Sequence, residues 1–110
     1  MGKTRLTPEM ITLVADRFQA LAEPARLHIM QALREGERSV GALVDATGLS
    51  TANVSKHLQL LNAAGFVTRR KDGVHVYYGL AGEDVFLLCD IMCGRLASEA
   101  ERRRKVMSAR

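Results

Sequence analysis

Residues 50–65 read STANVSKHLQLLNAAG, and the way this stretch divides on a helical wheel decides the fold. At about 100° per residue, Val54, Leu58 and Leu61 fall together, flanked by Leu60, Ala64 and His57. Ala52, Ser55, Lys56, Gln59 and Asn62 fall on the opposite side. The first set is built to pack into a core. The second is short, polar and without acidic charge. A face that only keeps a helix soluble mixes Glu and Asp with Lys, so this one is prepared to meet a partner.

Working outward, Leu43, Val44 and Thr47 suggest a short helix over about 41–46, closed by Gly48 and preceded by a connection at Ser39-Val40 with the length of a minimal strand. Gly48-Leu49-Ser50 then leads into the opening stretch, with Ser50 or Thr51 as its cap. A short helix, a glycine turn and a helix with a polar outer face make a helix-turn-helix over about 41–64. Downstream, in FVTRRKDGVHVYYGL (66–80), the runs Phe66–Lys71 and Val74–Leu80 flank Asp72-Gly73, a hairpin signal that places Arg69, Arg70 and Lys71 at the tip. A hairpin directly after such a helix is a wing, here about 66–80.

The flanking segments are helical. Thr7-Pro8-Glu9 is a helix start, after which Met10, Leu13, Val14, Phe18 and Leu21 recur at helical spacing. Glu23-Pro24 breaks that helix and begins another, with Leu27, Met30 and Leu33 as its stripe and Gly36 as its stop. Glu83 and Asp84 open a last helix over about 83–105, whose Arg102, Arg103, Arg104 and Lys105 suit the negative end of its dipole.

The totals agree with one domain over 1–110. An apolar content of 47% in 110 residues supports a core, yet a chain this short buries a limited share of its surface and gains from dimerisation. The net charge of +4 favours an anionic partner. The N-terminus lacks the apolar run of a signal peptide, and Leu6 stands where Met1-Gly2 would need Ser or Thr for myristoylation. Val85–Cys89 is too short an apolar run to span a bilayer. A cytoplasmic protein with no membrane partner is expected, its two cysteines reduced. With no phosphate loop, no GxSxG elbow and no His-Cys or paired-carboxylate constellation, the chain does not read as an enzyme.

The polar helix face fits a major groove, where Gln and Asn bond adenine edges, Lys bonds guanine, Ser serves either, and Ala52 meets a thymine methyl. The Arg69-Arg70-Lys71 run would meet phosphate, adding affinity and salt dependence with little sequence choice.

The segments LAEPARLHIMQAL (21–33) and VGALVDATGLSTANVSKHLQLLNAAGFVTRRKDGVHVYYGL (40–80), with the helix that follows, resemble the arsenic-repressor (ArsR/SmtB) family of bacterial winged-helix repressors over roughly residues 14–96. The resemblance implies a mainly α winged helix-turn-helix with a small β-hairpin, ordered α-α-α-α-β-β-α, and a homodimer joined by its first and last helices. It implies a repressor that occupies an operator in double-stranded DNA and leaves when a ligand binds. It carries DNA contact onto Ser50, Thr51, Ser55, Lys56 and Gln59, and onto the wing with Arg69, Arg70 and Lys71. Two-fold symmetry would make the operator an imperfect inverted repeat.

The chain departs from the family in its sensing ligands. The arsenic-type cysteine cluster would lie in SVGALVDATG (39–48), which holds no Cys, and the last helix carries no His for the zinc-type set. It does carry Cys89 and Cys93, one turn apart on a stripe with Val85, Met92 and Leu96, while Leu87, Leu88 and Ile91 make its other side apolar. One reading is two small buried hydrophobes. The other is a sensor for a thiol-reactive inducer: arsenite or another thiophilic metal ion, or reactive sulfur or an oxidant. A disulfide within one regular helix conflicts with helical rotamers. His57 reads as a packing residue, His28 as solvated and His75 as near the DNA backbone, while Met10, Met30 and Met92 read as core. The rivals to an inducible repressor are a protein-interaction module on the same fold and a constitutive repressor without a sensing site.

Overall fold

The computed structural model describes residues 5–108; the Met1-Gly2 start and the last two residues of the basic tail lie outside it. Five helices and one hairpin follow in the order the sequence predicts: α1 (Pro8–Leu21), α2 (Pro24–Ala32), a 3-10 turn (Leu33–Glu35), α3 (Val40–Thr47), α4 (Thr51–Ala63), β1 (Val67–Asp72), β2 (His75–Leu80) and α5 (Asp84–Ser108). This is the winged helix-turn-helix.

Side-chain caps set the helix starts. Thr7 Oγ1 accepts from Met10 N at 3.2 Å with Pro8 at the first helical position, Ser39 Oγ accepts from Ala42 N at 3.1 Å, and Ser50 Oγ accepts from Asn53 N at 3.1 Å. Because Ser39 caps, α3 begins at Val40, and Ser39-Val40 is no strand. The only β-type pairing in that connection is an isolated bridge one residue earlier, between Arg38 and Tyr78. The turn between α3 and α4 depends on Gly48, whose φ of 74° is a left-handed value that a side chain would strain. Thr47 braces it by donating to Leu43 O at 2.6 Å and accepting from Leu49 N at 3.3 Å.

The core lies among α2, α3, α4 and the root of the wing. Ile29, Met30, Leu43, Val54, Leu58 and Leu61 are fully buried, and Leu33, Val67, Val85 and Phe86 nearly so. The apolar side of α4 is therefore as the wheel divides it, except that Leu60 remains exposed. The outer helices differ. Helix α1 contributes no buried residue, and α5 contributes only Val85 and Phe86 before it leaves the body. The radius of gyration is 17.7 Å and the long axis 63 Å, against about 13 Å for a compact chain of this length. Met30 is core as expected, but Met10 and Met92 are not, because α1 and α5 turn those faces away from the chain's own core.

In the hairpin, β1 and β2 pair antiparallel from Val67↔Leu80 to Asp72↔His75. The two-residue turn is thus Gly73-Val74, one position later than the Asp72-Gly73 signal suggests. The buried Val67 and the half-buried Leu80 at the root fix the register, and Gly73 then takes the first turn position with φ 62°.

Candidate nucleic-acid interface

The α4 helix lies across the surface with its inner residues buried and its outer residues free. Ser50, Thr51, Ala52, Asn53, Lys56, Gln59 and Asn62 are exposed, and Ser55 is half-buried. No residue of α4 is acidic. Ser50 Oγ already receives Asn53 N, so it starts the helix and still keeps its own O–H to donate. Asn53 lies beside the residues singled out from sequence; the wheel passes over it because it sits between the two faces.

Behind α4, a polar junction that sequence reasoning misses fixes the helix in place. Arg26 Nε donates to His57 Nδ1 at 3.1 Å, so that nitrogen serves as the acceptor. The same guanidinium reaches the last carbonyls of α1, Gln19 O at 3.4 Å and Ala20 O at 3.3 Å, and pairs with Glu23 Oε2 at 3.3 Å. Glu23 Oε2 also lies 3.5 Å from His57 Nδ1. Side chains of Arg26 and His57 are each only 13% exposed. One arginine therefore closes the end of α1, holds the link to α2 and ties both to α4. His57 has the packing role its wheel position predicts, whereas His28 and His75 are exposed.

The three cations of the wing do not share one environment. Arg69, Arg70 and Lys71 pair across the hairpin with Tyr78, Tyr77 and Val76, and strand alternation puts Arg70 on the face opposite the other two. Arg70 is engaged: Glu37 binds its Nε and NH2, and its guanidinium carbon sits 4.9 Å from the centre of the Tyr77 ring. The Glu37 carboxylate raises the Arg70 pKa further above its ordinary value. Arg69 and Lys71 are exposed and make no ion pair among the described residues. None of the three stands at the very tip, which belongs to Val74, 90% exposed.

Both thiols are free. Cys89 is half-buried against the core, and Cys93 is exposed. Among the described residues no three His, Cys, Asp or Glu side chains converge to hold a metal ion within one chain. Two sulfurs from one chain are an incomplete set for tetrahedral zinc, so a four-thiolate site would need donors from a second copy. No helix of the described residues is long and apolar enough to cross a membrane.

Comparison with known proteins places this geometry. A family model described as "Bacterial regulatory protein, arsR family" matches residues 23–69. The chain is 39% identical over 84 residues to the HTH-type transcriptional regulator Rv0324 of Mycobacterium tuberculosis, covering 76% of this chain but only 37% of that protein's length. It is 32% identical over 99 residues to a probable mercury resistance operon repressor of Streptomyces lividans, covering 78% of this chain and 79% of that one. The homodimeric winged helix-turn-helix DNA-binding domain of Mb0332 from Mycobacterium bovis has the same architecture, with a TM-score of 0.74 at 35% identity, covering 92% of this chain and 94% of that one.

Proposed function

The chain belongs to the arsR family of bacterial regulatory proteins, and from that membership we propose that it is a non-enzymatic, cytoplasmic transcriptional repressor that binds an imperfect inverted repeat in duplex DNA as a homodimer. The observation that carries the reading is the acid-free, exposed face of α4, set directly after the Gly48 turn and followed by a cationic wing. Lys56 and Gln59 have the reach for base edges, Thr51 and Ser55 are short enough for close approach, and Ser50 has a hydroxyl to donate to phosphate. Arg69 and Lys71 supply free positive charge beside them, and Arg70 lies between these on the opposite face.

The exposed apolar faces of α1 and α5 support the dimer. Met10, Ile11, Leu13 and Phe18 on α1, and Leu87, Ile91, Met92 and Leu96 on α5, all remain uncovered by their own chain. Joining two copies there would place two α4 helices about one DNA turn apart.

The inducer is a thiol-reactive species at Cys89 and Cys93. The exposure of Cys93 favours this, and a relative named as a mercury resistance operon repressor keeps a soft metal ion in view beside arsenite, reactive sulfur and oxidants. The deciding experiment is fluorescence anisotropy of the reduced protein on the DNA upstream of its own reading frame, at several salt concentrations. It is then repeated with arsenite, mercuric ion or a persulfide donor, and with a Cys89→Ser, Cys93→Ser double variant. The expected result is salt-sensitive binding that one agent reverses in the parent but not in the double variant. Indifference to DNA would sink the repressor reading. Binding that no agent reverses would leave the thiols as packing and the repressor constitutive.

A further inference from the structure

Alternation along Thr68-Arg69-Arg70-Lys71-Asp72 sends Arg70 to the face of the wing that carries Tyr77 and Gly79. Glu37, in the connection between the 3-10 turn and α3, reaches over that face. Gly79 gives it room: a Cβ there would come within 3.2 Å of Glu37 Cγ and 3.4 Å of Thr68 Oγ1, and Glu37 would have to shift to admit it. The carboxylate then grips Arg70 with both oxygens 3.1 Å from Nε and Oε1 3.0 Å from NH2. The next residue, Arg38, pairs its backbone with Tyr78 in both directions at 2.9 Å, and the residue after that, Ser39, caps α3. Arg38 is itself tethered, with Nε 3.0 Å from Ala32 O and NH2 2.7 Å from Glu35 Oε2.

Burial of Val67 and Tyr78 and the backbone pair of Arg38 with Tyr78 hold the root of the hairpin on the side of the core, and leave its opposite face and outer half without an anchor. A second attachment, from a side chain crossing the sheet face to the other strand, supplies that anchor. We propose that Glu37 and Arg70 are this second attachment: Arg70 is a positioning residue that sets the angle between the wing and α4, and the wing's phosphate contacts fall to Arg69 and Lys71. The proposal rests on the repressor reading only for its DNA arm. An isolated exposed ion pair holds little, but a two-oxygen grip on a planar guanidinium fixes direction as well as distance. Arg70 is thereby held on the face opposite Arg69 and Lys71, with its charge already matched by Glu37.

Two measurements on the full chain test it. On a mixed-sequence duplex and on the upstream DNA, Arg70→Ala and Glu37→Ala each weaken binding several-fold with the salt slope of the parent. Gly79→Ala, which crowds Glu37 with both charges present, weakens binding in the same sense and by less, and the charge-swapped pair Glu37→Arg, Arg70→Glu recovers affinity. Tighter binding by Glu37→Ala, or a slope reduced by about 0.9 in Arg70→Ala as for a lost phosphate contact, overturns the proposal. In the DNA-free protein, amide hydrogen exchange across residues 67–80 quickens in Glu37→Ala; unchanged exchange overturns it equally. Failure of the parent to bind any duplex would sink the repressor reading alone, since the exchange measurement still decides the clasp.

Discussion

Helices α4 and α5 are written in the same periodic script and come to opposite ends. Along α4, Val54, Leu58 and Leu61 vanish into the core of their own chain. Along α5, Leu87, Leu88, Ile91, Met92 and Leu96 recur at comparable spacing, yet each is between 44% and 65% exposed. The difference lies in what stands opposite. Helix α4 has α2 and α3 behind it and the root of the wing beside it, whereas α5 meets the core at Val85 and Phe86 and then runs past it. An apolar stripe therefore states that a face needs covering, and only the neighbours decide whether the cover comes from the same chain.

The largest effect expected from that contrast is at α5. Ile91→Glu should abolish self-association, by roughly 3–6 kcal/mol per dimer, because two symmetric copies each lose about 1.5–3 kcal/mol of buried side chain. Sedimentation equilibrium would read the change, and an unaltered mass would remove α5 from the interface. Leu58→Ala should lower unfolding free energy by about 2–5 kcal/mol through the cavity it leaves. Urea denaturation in an excess of protein checks this, and a cost below that range would mean the α4 side of the comparison is less tightly packed than its burial implies. On the outer face of α4, Gln59→Ala should cost about 1–3 kcal/mol at one base pair of the operator and spare the others. Competition binding with single-base variants measures it; equal loss on every sequence would deny Gln59 a reading role. The smallest change is at the start of that helix, where Ser50→Ala should lower stability by about 1 kcal/mol through loss of the bond from Asn53 N. A thermal midpoint that stays put would show the cap to be dispensable.

What the sequence made legible was local. Thr7-Pro8, Gly48 and Ser50 announce their turns and caps because each acts on backbone within four residues, and the order of elements follows from them. The hairpin was legible as a hairpin but one residue out of place, since its register depends on Val67 and Leu80 at the far end and not on the turn dipeptide. The outward-facing set on α4 could be named from its period alone. Arg26 could not, nor could Glu37: their partners lie 31 and 33 residues away, at His57 and Arg70, and no periodic pattern links such distant positions. Exposure at Met10 and Met92 was illegible for the reason that separates α4 from α5, since periodicity is silent on whose atoms complete a face.

A free hairpin presents two strand margins, and each is a template on which another chain can add itself. In this wing the margin of β2 is interrupted midway where Arg38 pairs with Tyr78. The margin of β1 stays open, but its Arg69-Arg70-Lys71 run sets like charge against any second hairpin that comes alongside. The cationic projection is thereby kept from polymerising with its own kind, and neutralising Arg69 and Lys71 together would carry a penalty in solubility before any in folding.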